Sequence, residues 1–191
     1  QHVYSISTVG SNFSPSSISS LDAWYDASIS TNITIASGSN VSQWRDSTGR
    51  GRTLTQATTS NQPFYTSTVN LVSTALYFNN SQFLSFTTLP NIRSNDYTIF
   101  VVEQRQSNSA TNYFMGASSS NTTTFGHLLM GYNATNSVYT DIYGNSLSAT
   151  IDPFSNTAAF EPNRIWSVHY SSNLALRSLY INGHLLNSNF M

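Results

Sequence analysis

Short runs of β-branched and aromatic residues recur along the whole chain, and clusters of Gly, Asn, Asp or Ser bound each run. Short runs with closely spaced turn residues are typical of β-sandwiches and β-barrels. Residues 41–44 and 165–170 alternate between two strand faces, whereas residues 97–102 are apolar on both faces and are predicted to form a central strand. The sequence therefore predicts an all-β fold of antiparallel sheets.

Local signals predict the turns between these strands. Asn182-Gly183 lies between two apolar runs and predicts a tight hairpin, because both residues tolerate positive φ. Residues 76–78 and 83–86 flank four polar residues and are predicted to form another hairpin. Residues 23–25 are predicted to be the first core strand.

Charge is scarce in this chain and excludes several kinds of partner. Only 8% of the 191 residues are charged, the net charge is -1, and the basic residues are scattered arginines. The counterion release that drives nucleic-acid binding is therefore largely missing, and we expect no nucleic-acid partner. No apolar run approaches the roughly 20 residues that span a bilayer, so we expect no membrane insertion. Without Cys, disulfides and thiolate metal sites are excluded.

The length suits one all-β domain with a single core. Residues 1–20 are rich in Ser and are predicted to be an N-terminal arm or an edge strand. Residues 21–191 are predicted to be one domain. After the Asn182-Gly183 turn only residues 184–191 remain, enough for a single return strand.

A series of sequence blocks follows one another along this domain. They are LDAWYDAS (21–28), VSQWRDSTGRG (41–51), NQP (61–63), ALYF (75–78), YTIFVV (97–102) and LYING (179–183). In composition and order these blocks resemble concanavalin A-like, laminin-G-like jelly-roll domains. The resemblance implies a sandwich of two antiparallel sheets in a virion-surface, cell-surface or secreted adhesion protein that binds glycans or partner proteins. Such domains usually continue after this hairpin, so the resemblance also implies that the last strands are missing here. A partner chain or the rest of the same polypeptide is then expected to complete the sandwich.

Enzymatic residues are not evident. Glycanases of this fold use two carboxylates on one strand, but Glu103 and Glu161 are far apart in sequence. The histidines are isolated, and His169 is predicted to face away from Trp166 and the core. We therefore expect a protein that is not an enzyme, with glycan hydrolysis as the least favoured alternative.

One region combines aromatic, amide and carboxylate side chains at high density. Its candidate ligand-binding residues are Tyr132, Asn133, Tyr139, Asp141, Tyr143 and Asn145. Glycan binding needs an exposed aromatic face with polar partners nearby, and this group provides both. The alternative is that these tyrosines only cover one edge of a sheet.

Calcium has candidate ligands, because laminin-G-like domains often bind it through Asp and Asn. They are Asp141 with Asn145, and Asp152, but these residues also suit turns that need no ion. We favour the turns and predict no cofactor. Asp46 and Gly49 lie in the most motif-like loop and are interpreted as structural.

The leading hypothesis is a non-enzymatic binding module on a virion or cell surface, which attaches to a glycan or a host receptor. Lysine-free modules rich in Ser, Thr and Asn look like virion-surface components, and they offer little to trypsin-like proteases or to salt. The alternative is a purely structural subunit of a minor capsid or fibre that cements a shell. Its partners are then other virion or surface proteins.

Overall fold

Strands dominate both halves of the chain in the computed structural model. The structure describes residues 14–69, 73–79, 81–85, 95–105, 111–116, 128–134, 136–142, 144–151 and 163–191. The chain divides into a first unit over residues 1–90 and a second unit over residues 91–191. Within the described ranges no helix is long and apolar enough to cross a membrane.

The first unit is built on one antiparallel sheet. Its strands are β1 (Ile33–Ser37), β2 (Asn40–Trp44), β3 (Leu54–Thr55), β4 (Phe64–Val69) and β5 (Ser73–Tyr77). They run in the order β1-β2-β4-β5, and β3 pairs with β2. Single 3-10 turns occur at Pro15–Ser17, Ser30–Asn32 and Thr59–Asn61. Val41 of β2 is fully buried, which agrees with the alternating pattern predicted for this strand.

Asp46 organises the loop that follows β2. Its Oδ1 accepts hydrogen bonds from the backbone N–H groups of Trp24 at 2.9 Å and Thr48 at 3.0 Å, and its Oδ2 accepts one from the Thr48 hydroxyl. Burial raises the pKa of Asp46, but these hydrogen bonds outweigh it and hold the pKa below its usual value. Gly49 adopts a φ of 75°, where a side chain is unfavourable. The structural interpretation of Asp46 and Gly49 is confirmed.

Two local predictions for the first unit are wrong. Residues 23–25 form no strand and are instead fixed to the Asp46 loop. Residues 76–78 and 83–86 do not pair in the described part of the chain, because β5 pairs with β4 and Ser85 forms an isolated bridge with Thr55. Long-range strand pairing overrides the local turn signal here.

The second unit contains two antiparallel sheets. Its described strands are β6 (Tyr97–Glu103), β7 (Asn112–Gly116), β8 (Leu128–Ala134), β9 (Ser137–Ile142), β10 (Asn145–Thr150), β11 (Arg164–Ser171), β12 (Leu176–Ile181) and β13 (His184–Phe190). One sheet has the order β10-β9-β8-β7, and the other has the order β13-β12-β11-β6. The Asn182-Gly183 hairpin between β12 and β13 is confirmed, with φ of 51° and 79° at its two residues.

An apolar core lies between these two sheets. Met130 and Val138 of one sheet share it with Trp166, Val168 and Leu179 of the other. Because side chains alternate along a strand, each sheet supplies every second residue to this core. The prediction of an all-β fold with antiparallel sheets packed as a sandwich is confirmed.

Strand β6 lies at the end of its sheet among the described strands, where its predicted central position is not found. Its residues Ile99 and Val101 pack against the core. On the opposite side, Phe100 and Val102 are 66% and 68% exposed. The apolar character of both faces therefore reflects one buried face and one apolar face in contact with solvent.

Three predictions about chain organisation remain predictions. Residues 1–13 lie outside the described ranges, so the division into an arm over residues 1–20 and a domain over residues 21–191 is untested. The jelly-roll connectivity and the missing last strands likewise remain expectations.

Candidate functional site

The outer surface of the β10-β9-β8-β7 sheet carries the candidate site. Val138 and Ile142 of β9 point into the core, so Tyr139 and Asp141 lie on the opposite, outer face. Strand register places Gly131 beside Tyr139, Tyr113 beside Gly131, and Ser146 beside Asp141. We call this surface the tyrosine face and define it by Tyr113, Gly131, Tyr139, Asp141 and Ser146.

Gly131 lets two tyrosines meet across it. The rings of Tyr113 and Tyr139 lie 6.2 Å apart between centroids, at an angle of 52°. A Cβ atom at position 131 would lie only 2.6 Å from the Cα of Tyr113 and would also clash with the carbonyl oxygen of Asn112. Only glycine allows β7 to approach this closely, so the tyrosine pair depends on it.

Asp141 joins the polar half of the tyrosine face. Its Oδ2 accepts hydrogen bonds from the hydroxyls of Tyr139 at 2.7 Å and Ser146 at 2.9 Å, and its Oδ1 accepts one from the Gly144 N–H at 2.9 Å. Burial raises the pKa of Tyr139, and the hydrogen bond to Asp141 adds to this effect while Ser146 opposes it. Tyr139 is therefore held neutral and in one orientation.

The structure separates the other predicted site residues. Tyr132 is only 1% exposed and lies in the core, so the prediction that it offers an exposed aromatic face is wrong. Strand alternation is the reason, because Tyr132 follows Leu128 and Met130 on the inner side of β8. Asn133 is exposed at the end of β8. Tyr143 lies outside the described residues.

Asn145 points towards the other sheet rather than to the tyrosine face. Its Oδ1 accepts a hydrogen bond from Asn189 at 3.0 Å, and its Nδ2 donates to the carbonyl oxygen of Phe190 at 3.4 Å. Asp141 and Asn145 are therefore on opposite faces and share no calcium site. No group of three His, Asp or Glu side chains suited to a metal ion occurs in the described part of the chain, and Asp152 lies outside it.

Tyr132 is the centre of a polar cluster that sequence reasoning did not find. Its hydroxyl donates to Glu103 Oε1 at 2.6 Å and accepts from Arg164 Nη1 at 2.8 Å, while Trp166 Nε1 donates to the same Glu103 oxygen at 3.0 Å. The guanidinium carbon of Arg105 lies 4.1 Å from the centre of the Tyr132 ring. The sequence feature that could have indicated this cluster is Glu103, a lone carboxylate at the end of the apolar run of β6.

This cluster alone does not bring together the two carboxylates that glycan hydrolysis needs. Glu103 already accepts hydrogen bonds from Tyr132 and Trp166, and Glu161 lies outside the described residues. The expectation that the chain is not an enzyme therefore stays a prediction.

The opposite sheet has an outer surface of a different kind, which we call the apolar face. It is defined by Phe100, Val102, Ile165, Tyr180 and Leu185, and all but Tyr180 are at least half exposed. The prediction that His169 faces away from the core is confirmed. Its ring lies edge-on to Phe100 and Tyr180 on this face, and its Nδ1 is 3.1 Å from the Thr98 hydroxyl.

Comparisons of the chain with protein-family models, curated proteins and solved structures found no match. The resemblance to concanavalin A-like domains therefore remains a prediction, and the geometry of the two outer faces is the basis for a functional argument.

Proposed function

We propose that this chain is a non-enzymatic binding module that recognises carbohydrate through the tyrosine face. The observation that carries this proposal is the pairing of Tyr113 with Tyr139 beside the Asp141 carboxylate and the Ser146 hydroxyl. Sugar rings have apolar C–H faces and polar edges, and this surface offers aromatic rings next to hydrogen-bonding groups. We further propose that the module acts at a virion or cell surface, where attachment to a glycan or a receptor is its task.

The polar groups of the tyrosine face are preorganised for such a ligand. Asp141 is buried and holds the hydroxyls of Tyr139 and Ser146, so these side chains lose little freedom when a ligand binds. Tyr113 is 40% exposed and gives a ligand direct access to an aromatic ring. A rigid tyrosine pair supplies contact area at a low entropic cost.

A glycan array measured with the wild-type chain and with a Tyr113→Ala/Tyr139→Ala variant tests this proposal. We expect wild-type binding to one class of glycan, and a loss of about tenfold or more in affinity for the variant, because both aromatic contacts are removed. Repeating the array with EDTA reports whether calcium contributes.

The matched control is Tyr77→Ala in the first unit, because Tyr77 is 41% exposed and so resembles Tyr113 in accessibility. We expect this variant to bind glycans like the wild type. Wild-type binding to no glycan, or equal losses in the control and the double variant, would contradict carbohydrate recognition by the tyrosine face.

A structural subunit that docks onto other virion or surface proteins is the second candidate function. The apolar face favours it, since exposed apolar patches on a protein surface commonly mark protein interaction sites. The partner in this case is a protein of the same shell or fibre, or a chain that completes the sandwich.

A further inference from the structure

Arg177 lies inside the sandwich of the second unit. It is on the inner side of β12, in register with Tyr170 of β11 and Asn189 of β13, and its exposed fraction is 0%. Its Nη2 donates to the carbonyl oxygen of Asn145 at 2.5 Å. Its Nε and Nη1 are buried and have no hydrogen-bond partner among the described residues. Buried donors without a partner are unfavourable, and more so when they carry charge.

The described residues give Arg177 no ion pair. Asp141 is the carboxylate whose charge acts on it, but the Asp141 oxygens accept hydrogen bonds from Tyr139, Ser146 and Gly144. Burial lowers the pKa of Arg177, and electrostatic interactions with Tyr97 and Asp141 oppose this. An arginine remains protonated at neutral pH in any protein environment, so the interior holds a positive charge here.

Two other arginines in the same interior, Arg164 and Arg105, have partners that Arg177 lacks within the described ranges. Arg164 donates to the Tyr132 hydroxyl, which in turn donates to the Glu103 carboxylate, and Arg105 lies over the Tyr132 ring. A carboxylate and an aromatic face thus accompany the positive charge there. Arg177 has neither a carboxylate contact nor a full set of acceptors among the described residues.

We propose that Arg177 is the centre of a buried anion site that takes a small monovalent anion of the size of chloride. Nε and Nη1 donate to the ion, and the ion neutralises the guanidinium. Asn189 Oδ1 is buried beside Arg177 and also has no partner in the described part of the chain, so it accepts a hydrogen bond from a water molecule in the hydration shell of the ion. We infer a small ion because Arg177 is 0% exposed, which leaves little room for a larger one.

Bromide is the direct probe, because it replaces chloride and scatters X-rays anomalously. We expect crystals of the full chain grown with sodium bromide to show an anomalous peak at hydrogen-bonding distance from Nε or Nη1 of Arg177. In solution, we expect the Tm at constant ionic strength to rise by about 2–4 °C when sodium gluconate is replaced by sodium chloride.

Arg177→Met separates the site from general salt effects. A methionine side chain retains much of the length without the charge, so we expect the chloride-dependent rise in Tm to disappear. Arg50→Met is the matched control, because Arg50 is exposed and its removal changes the net charge equally. If the Arg177→Met variant does not fold, the bromide measurement on the wild type decides alone. Water at the site with no anomalous peak, or a chloride effect that survives Arg177→Met, would overturn the proposal.

Discussion

The two outer faces of the sandwich in the second unit are opposite in chemistry although the two sheets are built alike. Both are four-stranded in the described residues, and both send every second side chain into one shared core. On the tyrosine face the outward positions hold Tyr139, Asp141 and Ser146, joined by hydrogen bonds. On the apolar face they hold Phe100 and Val102, in contact with solvent. The comparison teaches that the shared core constrains the inner side chains far more than the outer ones, with Gly131 as an exception that the close approach of β7 imposes.

Gly131→Ala is expected to have the largest effect on stability, because it displaces the backbone beneath the tyrosine face and leaves the apolar face unchanged. The new Cβ would lie 2.6 Å from the Cα of Tyr113, which forces β7 away from β8. We expect a loss of about 2–3 kcal/mol in the free energy of unfolding, measured by urea denaturation, together with loss of glycan binding.

Gly116→Ala is the control for that change. A Cβ at position 116 would lie 3.0 Å from Cδ2 of Leu129, the end of a flexible side chain that can move. We expect a loss below about 1 kcal/mol. Equal losses in the two variants would show that close approach at Gly131 is not what positions the tyrosine pair.

The second change compares two tyrosines of neighbouring strands, Tyr132 inside and Tyr139 outside. Burial is the main reason that the pKa of Tyr132 is raised far above its usual 10.0, and Glu103 adds to this while Arg164 opposes it. The unfolded chain loses this proton near pH 10, whereas the folded chain retains it. Stability that is fully present below about pH 10 is therefore lost as the pH rises towards the raised pKa.

We expect Tyr132→Phe to lower the free energy of unfolding by about 1–2 kcal/mol at about pH 7, because Glu103 and Arg164 each lose a hydrogen bond. We also expect it to flatten the decline in stability above about pH 10 in denaturation curves measured at successive pH values. Tyr139→Phe should flatten the decline less, since Tyr139 is less buried. A steeper decline in Tyr132→Phe than in the wild type would contradict the burial argument.

Local pattern was sufficient to predict several strands of the second unit and part of its inner face. Alternation predicted that Trp166 and Val168 share one face and that His169 faces the other, and Asn182-Gly183 predicted the last hairpin. The same alternation would have placed Tyr132 inside, since Leu128 and Met130 precede it at intervals of two. Treating Tyr132 and Asn133 as one exposed group ignored the period of the strand.

Contacts between distant strands could not be predicted from the sequence. The Tyr113–Tyr139 pair requires the register of three strands, and the Glu103–Tyr132–Trp166 cluster requires both sheets. The exposure of Phe100 and Val102 on β6 was unpredictable for a related reason. An apolar run on both faces is equally compatible with burial between two layers and with one exposed apolar face.

The smallest expected effect on stability comes from the apolar face itself. Phe100→Ser with Val102→Ser removes two side chains that are mostly exposed, so we expect the free energy of unfolding to change by no more than about 0.5 kcal/mol per site. If a second copy of the chain docks on the apolar face, the wild-type chain should associate reversibly as its concentration rises in sedimentation velocity, and the double variant should remain monomeric. Leu174→Ser, at a residue 63% exposed in the turn before β12, is the matched control and should associate like the wild type. A wild-type chain that stays monomeric at every concentration would contradict docking of a second copy on this face.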